Sequence, residues 1–182
     1  MPKITEIETE RLLLRPLRAS DRNDLHHLFT DPDVRRYLWD DVVLPIEQTW
    51  AVVQESLRRF AADGTGLWAV SRRGRPPLAG FGGYWPFPAG IEILFGFAPV
   101  HWGRGLATEL VRTLLRYGFE ELGSDRVDGS ADTPNVASLR VMEKAGLREV
   151  EKSAKGGRET VRYSLSREEF QPGKDPYVVR RA

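Results

Sequence analysis

The sequence FAPVHWGRGLATE, residues 97–109, joins an apolar run at residues 91–97 to a long amphipathic run at residues 106–122. Two glycines flank an arginine at the junction, as is typical of a strand that turns tightly into a helix. The first N–H groups of a helix have no partner within it, and the helix dipole adds partial positive charge there. Gly103 and Gly105 also let the main chain approach a ligand closely. The stretch therefore predicts a loop that binds an anion such as a pyrophosphate.

The composition is that of an ordinary globular protein. At 182 residues, we expect one domain over residues 1–182. The 27 basic and 26 acidic residues give a net charge of +1, which does not indicate a nucleic acid or an anionic membrane as partner. The chain has no cysteine and three histidines. Thiolate chemistry and disulfides are thereby excluded, and we expect no metal site.

The N-terminal stretch MPKITEIETE is polar and lacks the apolar core of a signal peptide. No apolar run reaches the roughly 20 residues that span a bilayer. We therefore expect a cytoplasmic protein, a monomer or a homodimer, without a membrane or nucleic-acid partner.

Apolar periodicity and turn residues predict the order of the elements. Strands are predicted at residues 11–17, 67–71, 78–84, 91–97, 126–131, 147–152 and 159–165. Helices are predicted at residues 20–29, 45–62, 106–122 and 136–145, and a loosely held C-terminal tail at residues 166–182. Short connectors rich in proline and glycine, at residues 72–77 and 85–90, predict an antiparallel meander for the three central strands. The fold class is α+β, with a mixed, largely antiparallel central sheet flanked by helices on both faces.

The glycine loop has two other interpretations. GRGLAT, residues 103–108, is a partial match to the dinucleotide fingerprint G-x-G-x-x-G, with Thr108 as the third small residue. Asp128 lies about 20 residues further on, where that motif places a ribose-binding acid. The chain lacks the repeated βαβ units of a dinucleotide fold, however. The remaining alternative is a glycine-rich turn that binds nothing.

Three segments carry a resemblance to a known family. WGRGLATE, residues 102–109, resembles the acyl-CoA loop of the GNAT N-acyltransferase superfamily, Gln/Arg-x-x-Gly-x-Gly/Ala, with Trp102 in place of the usual first residue. NVAS with EKAGL, within residues 135–147, and TERLLLR, residues 9–15, resemble the branch that acetylates ribosomal-protein N-termini. Leu147 replaces that branch's usual phenylalanine. The resemblance spans residues 9–165 and implies a GNAT-like fold.

The resemblance implies acetyl-CoA as the acyl donor and a primary amine as the acceptor, with a peptide N-terminal α-amine as the first candidate. Acetylation of a small amine, such as an antibiotic or polyamine, is one alternative, and a CoA-binding module without catalysis is another. The implied CoA-binding residues are the strand end, the loop, the start of the next helix and one asparagine: Phe97, Ala98, Gly103, Arg104, Gly105, Leu106, Ala107, Thr108 and Asn135. In the family, free N–H groups at Phe97 and Ala98 bind the pantetheine and the acetyl carbonyl.

In this chemistry an amine attacks the thioester directly, so no nucleophilic side chain is needed. At pH 7 a lysine-like amine with pKa about 10.4 is neutral in about one molecule in 2,500, and an α-amine in about one in ten. A general base therefore helps a lysine-type acceptor more. Glu92 is the candidate base because it interrupts the apolar strand, and the resemblance implies a glutamate there that acts through water. The alternative is an exposed polar residue on a half-solvated strand.

Many family members protonate the CoA thiolate with a tyrosine seven residues after the asparagine. Met142 occupies that position and cannot donate a proton. The resemblance implies Ser138 as the acid instead; a plain helix start capped by Asn135 is the alternative. Aromatic residues in predicted loops beside the site are candidates for the acceptor pocket, with core packing as the alternative for each: Trp39, Trp85 and Phe87.

Overall fold

The computed structural model describes residues 4–87, 90–155 and 157–182. Fourteen strands and α-helices follow one another in these parts of the chain: β1 (Ile4–Glu8), β2 (Leu12–Pro16), α1 (Arg22–Thr30), α2 (Pro32–Arg35), α3 (Ile46–Ala62), β3 (Leu67–Arg72), β4 (Arg75–Phe87), β5 (Gly90–Phe97), α4 (Leu106–Arg116), β6 (Arg126–Asp132), α5 (Val136–Ala145), β7 (Arg148–Lys155), β8 (Arg158–Ser166) and β9 (Val178–Arg181).

The strands form one nine-stranded sheet in the order β7-β8-β6-β5-β4-β3-β2-β1-β9. Among the described strands, β5 and β6 are parallel and every other neighbouring pair is antiparallel. The meander β3-β4-β5 is confirmed, as is the mixed, largely antiparallel α+β fold.

Side chains that alternate along β3 divide the core between the two faces of the sheet. Trp68 belongs to the cluster that packs under α4 and α5, where Leu110 and Leu114 are fully buried. Its neighbour Leu67 belongs to the second cluster, under α1 and α3, with Phe29. Helices thus cover both faces, as the sequence predicts, and the α4 side carries the glycine loop.

The helix predicted at residues 106–122 changes its winding near its end. The α-helix stops at Arg116, and residues 117–121 form a π-helical turn. The buried hydroxyl of Tyr84 donates a hydrogen bond of 2.8 Å to the Leu114 carbonyl, which a regular α-helix would pair with the N–H of residue 118. A side chain inserted into the helix hydrogen bonds is a known cause of such a local change.

The prediction of a loosely held tail is wrong for its last residues. β9 pairs with β1 at the sheet edge, and Arg180 lies 3.1 Å from Glu6. Neither strand was predicted, because both are short and carry charged residues where a period-two apolar pattern would be needed. The predicted connector at residues 85–90 lies partly outside the described residues, since it includes Pro88 and Ala89. The strands predicted at residues 147–152 and 159–165 imply a hairpin turn around residues 155–158, and Gly156 in that turn also lies outside the described residues.

Candidate active site

A cleft opens where β5 and β6 separate. Glu92 and Asp128 are the one pair of residues in register between these strands within the described chain. Beyond that pair the strands diverge, and a cavity of about 560 Å³ lies between them. The cavity walls come from both strands and from α2, the glycine loop and α5. Its volume is that of a site for a drug-sized ligand or cofactor.

The exposed edge of β5 offers backbone groups to this cleft. The Ala98 N–H donates to the Ala79 carbonyl at 3.0 Å, so it is engaged with β4. Because bonding directions alternate along an antiparallel pair, Phe97 turns its own N–H and C=O away from β4. The Phe97 carbonyl accepts a hydrogen bond of 2.7 Å from the indole Nε1 of Trp102. The expectation of a free N–H at Ala98 is therefore wrong, and Phe97 supplies the N–H on the cleft side.

The glycine loop has the geometry that its sequence predicts. Gly103 and Gly105 have φ of +69° and +74°, in the left-handed region that favours glycine. Gly105 is the N-cap of α4, so the N–H groups of residues 106–108 have no partner within the helix. Residues 103–108 all line the cavity. No atom lies within 4 Å of the position that a Cβ of Gly103 would take, which leaves the space above this turn for a ligand.

A cluster of polar groups from the β1–β2 turn holds the loop from behind. Glu109, in the first turn of α4, accepts hydrogen bonds from the Thr9 hydroxyl at 2.6 Å and from the Arg11 N–H at 2.9 Å. The Arg11 guanidinium donates to Glu109 at 2.6 Å and to the Arg104 carbonyl at 2.7 Å. An acidic residue this close to an anion site would repel the ligand, and Arg11 neutralises that charge. Residues 9–15 carry no sequence signal that predicts this role at the site.

His101, beside the glycine loop, is influenced by two nearby arginines, Arg72 and Arg104. Burial, followed by the positive charges of Arg72 and Arg104, lowers the pKa of His101. Its imidazole lies at the cavity wall, and its buried Nδ1 has no hydrogen-bond partner among the described residues. A lowered pKa means that His101 is neutral at pH 7. Arg104 is exposed at the rim, as expected for a residue that adds charge beside a bound anion.

Glu92 is not the exposed residue of the alternative interpretation, because only 4% of its surface is accessible. It lies across from Trp85 on β4 and from Asp128 on β6. Its carboxylate accepts a hydrogen bond of 2.5 Å from the hydroxyl of Ser130. Ser130 is exposed and lines the cavity, whereas Glu92 is not among the cavity's described wall residues. Sequence reasoning missed Ser130, since one serine in a polar strand gives no signal.

Asn135 and Ser138 lie together at the start of α5, and both line the cavity. The Asn135 side-chain oxygen accepts a hydrogen bond of 3.2 Å from the Ser138 N–H, so the helix-cap interpretation is confirmed. Within the described parts of the chain, no side-chain hydrogen bond engages the asparagine NH₂ or the serine hydroxyl, so both can contact a ligand. Met142, one helical turn further on, is 2% exposed, and its sulfur lies 3.1 Å from where a Cβ of Gly129 would sit. It packs in the core between α5 and β6.

The three aromatic candidates for the acceptor pocket lie in the second core. Trp85 and Phe87 are on β4 rather than in a loop, because that strand extends three residues beyond its predicted end. The rings of Trp39 and Trp85 meet edge to face with centroids 6.3 Å apart. None of the three is among the described residues that line the cavity. Their positions are those of core-packing residues, the alternative to a role in the acceptor pocket.

Residues of α2 and its continuation, which sequence reasoning did not single out, form a further wall of the cavity: Asp33, Val34, Arg36, Tyr37 and Leu38. The Tyr37 hydroxyl donates to the Pro134 carbonyl at 3.2 Å and so bridges from this wall to the loop before α5. The next three residues, Trp39 to Asp41, all have positive φ, and Asp40 is paired with Arg158 on β8. Two contacts, Tyr37 with Pro134 and Asp40 with Arg158, therefore link this wall to the part of the chain that contains β6 and β8.

The chain matches known proteins in sequence and in fold. Residues 11–148 match the family described as acetyltransferase (GNAT) domain. A relative from Aspergillus fumigatus, named FsC-acetyl coenzyme A-N(2)-transacetylase, is 31% identical over 201 residues, covering 96% of this chain and 81% of its own.

A GNAT-family acetyltransferase from Bacillus anthracis superposes with a TM-score of 0.77 at 28% identity, covering 90% of this chain and 99% of that one. The microcin C7 self-immunity acetyltransferase, solved with acetyl-CoA and AMP, has the same fold at 14% identity and a TM-score of 0.70, covering 86% of this chain and 93% of its own.

Two negative findings concern only the parts of the chain that the structure describes. Within them, no helix is long and apolar enough to cross a membrane. No group of three or more His, Asp or Glu side chains in these parts is placed to hold a metal ion.

Removing the Arg11 side chain tests whether the polar cluster supports the loop. We expect Arg11→Met to weaken CoA binding about tenfold, because a charge-assisted hydrogen bond is lost and Glu109 is left unneutralised beside the anion. Titration calorimetry measures the affinity. Arg116→Met is the matched control, since that arginine pairs with Glu120 on the same helix, outside the cleft. Equal CoA affinities for wild type and Arg11→Met would contradict the assignment.

Because the pKa of His101 is lowered in the folded protein, its free energy of unfolding should decrease as the pH falls. The unfolded chain protonates this imidazole at its ordinary pKa of about 6.5, before the folded chain does, so stability falls as the pH drops through that value. When the pH is lowered from 7.5 to 5.5, we expect the free energy of unfolding of His101→Gln to decrease less than that of wild type. Urea unfolding of both proteins at the two pH values measures this difference. Parallel losses would show that His101 is not the group responsible.

Proposed function

The chain belongs to the GNAT acetyltransferase family, and from this premise we propose that it transfers the acetyl group of acetyl-CoA directly to a primary amine. Members of this family are acetyltransferases that use acetyl-CoA. The observation that carries the assignment of the site is the cleft between β5 and β6, which ends on the left-handed glycine loop at the start of α4. The dinucleotide interpretation has no support in a sheet whose described strands form one parallel pair.

We place the CoA pyrophosphate on the N–H groups of residues 103–108. Three of these groups are unpaired because they belong to the first turn of α4, and Arg104 adds a positive charge at the rim. The pantetheine arm then runs along the free edge of β5, where Phe97 presents its N–H. The amide of Asn135 faces the same cavity from the opposite side.

The thioester follows further along the cleft, beyond the pantetheine arm. The Phe97 N–H is the candidate donor to the oxyanion that forms when the amine attacks. The Ser138 hydroxyl, which lines the cavity, is the candidate acid for the departing thiolate, since the buried Met142 has no proton to give. Glu92 is the candidate base.

The proton-transfer groups of this site favour an α-amine as the acceptor. Glu92 is not among the described residues at the cavity wall, so its carboxylate does not contact the acceptor amine directly. An α-amine is already neutral in about one molecule in ten at pH 7, so it needs less help than a lysine amine. The resemblance to the branch that acetylates ribosomal-protein N-termini supports a peptide. The Aspergillus relative's name, with transfer to N(2) of FsC, supports a small molecule as the second candidate.

Two experiments test the proposal. Titration calorimetry with CoA and with NAD separates the cofactor classes, and binding of NAD without CoA would overturn it. Thiol release from acetyl-CoA is then followed with three amines: a tripeptide with a free alanine α-amine, Nα-acetyl-lysine methylamide and spermidine. We expect the tripeptide to give the highest kcat/KM. CoA binding with no thiol release above hydrolysis for any of them would favour the alternative of a module without catalysis.

A large side chain on the loop tests the position of the pyrophosphate. We expect Gly103→Trp to lower CoA affinity more than a hundredfold, because the indole would occupy the open space that the ligand needs. Gly123→Trp is the matched control: Gly123 also has positive φ and open space around it but lies after α4, away from the cleft. Both variants carry the same backbone strain of about 1–2 kcal/mol, so comparison by calorimetry isolates the lost binding.

Replacement of Glu92 tests the base. We expect Glu92→Gln to reduce kcat about a hundredfold at pH 6.5 and much less at pH 9, because at high pH the amine is already neutral. CoA affinity should change little, since Glu92 does not line the cavity. A rate reduced by the same factor at every pH would remove Glu92 from the role of base.

A further inference from the structure

Glu92 and Ser130 together have the two properties of a general base: Glu92 can bind a proton, and Ser130 is accessible from the cavity. Glu92 has the proton affinity that a base needs, but it is 4% exposed and is not at the described wall of the cleft. Ser130 lies at that wall and is exposed. Their hydrogen bond of 2.5 Å is the direct link between the buried carboxylate and the cavity.

The register of the sheet explains why these two residues meet. Asp128 pairs with Glu92 across the parallel strands, and Ser130 follows two residues later on the same face of β6. At that position the strands have begun to diverge. The serine side chain therefore reaches back across the opening to the carboxylate, while its oxygen stays at the cavity.

We propose that Ser130 is a catalytic residue that accepts the proton of the attacking amine and passes its own hydroxyl proton to Glu92. This inference rests on the proposed acetyl transfer and replaces the water that the family resemblance implies. A serine hydroxyl can donate one hydrogen bond and accept others at the same time, which a relay requires.

Two protons leave the acceptor nitrogen during the transfer. The ammonium form of the acceptor gives one proton to the Ser130 oxygen while the Ser130 proton moves to the Glu92 carboxylate, and the neutral amine then forms a bond to the acetyl carbon. The bond between the acetyl carbon and sulfur then breaks, and the CoA thiolate leaves with the electron pair and takes up, through the Ser138 hydroxyl, the second proton that the nitrogen loses. The products are the amide, CoA and a neutral Glu92, which returns its proton to solvent through Ser130.

A second serine–carboxylate pair on the same sheet supplies the control. Ser164 on β8 donates to Asp128 at 2.5 Å, the same distance. Ser164 is 9% exposed and is not among the described residues at the cavity wall. The two pairs thus share their chemistry, and one of them reaches the cleft.

The charged groups that share this face must be considered in a pH experiment. Asp128 on β6 is the acidic neighbour of Glu92, and it accepts a hydrogen bond of 3.1 Å from Arg126. Arg162 on β8 is the basic neighbour, and its positive charge is paired with Glu151 at 2.9 Å. Both are ion-paired in the folded protein.

The test compares Ser130→Ala, Ser130→Thr and Ser164→Ala with the same three amines and acetyl-CoA. We expect Ser130→Ala to reduce kcat ten- to a hundredfold at pH 6.5 and by less than threefold at pH 9, with the KM for acetyl-CoA unchanged. Ser130→Thr keeps the hydroxyl and should stay within threefold of wild type. Ser164→Ala should leave the pH–rate profile unaltered.

The outcomes separate the relay from the proposed function. If Glu92→Gln slows the reaction at low pH and Ser130→Ala does not, the relay is overturned while Glu92 remains the base. Equal losses at all pH values for Ser130→Ala would reduce the serine to a structural role. If wild type releases no thiol with any of the amines, the proposed acetyl transfer itself fails, and calorimetry with CoA distinguishes that result from a damaged protein.

Discussion

The separation of β5 from β6 is the constraint on which the rest of the site depends. A parallel pair that continued past Glu92 and Asp128 would use the inner edges of both strands for hydrogen bonds with each other. Because the strands diverge, β5 keeps an edge of backbone donors and acceptors that nothing in the sheet satisfies. Such an edge binds an extended ligand with amide groups of its own, and the adjacent helix start binds the ligand's anionic end. In the binding mode that we propose, the pantetheine arm of CoA lies along the edge of β5 and the pyrophosphate lies at the start of α4.

The loop at the end of the cleft also depends on a distant part of the chain. The β1–β2 turn contributes Thr9 and Arg11 to the back of α4, and β9 completes the sheet beside β1. Two of the hydrogen bonds that fix the loop therefore come from residues about 95 positions earlier in the sequence. Arg11 has a structural and an electrostatic effect here: it anchors the Arg104 carbonyl, and it offsets the negative charge of Glu109 near a site for an anion. The N-terminal hairpin is in this sense part of the binding site.

The features that the sequence predicts correctly are local ones. The glycine turn into α4, the capped start of α5 and the meander depend on residues close together in the chain. Glu92 could be singled out because a charge within an apolar strand is unusual. Its partner could not be, since contact with Ser130 follows from the register of two strands that are about 40 residues apart. The same holds for the wall formed by α2, a four-residue helix without apolar periodicity, and for the placement of Trp39 and Trp85 in the second core.

A base that sits behind a hydroxyl resolves a difficulty of amine chemistry. A carboxylate in direct contact with the acceptor would form an ion pair with its ammonium form and raise the amine's pKa, which opposes formation of the neutral nucleophile. Coulomb attraction weakens with distance, so a serine between the two groups reduces this effect. The hydroxyl still gives the proton a path of two short transfers. In the relay that we propose, Glu92 remains buried near Trp85 and still acts on the acceptor, and the identity of residue 130 matters for catalysis alongside that of the carboxylate.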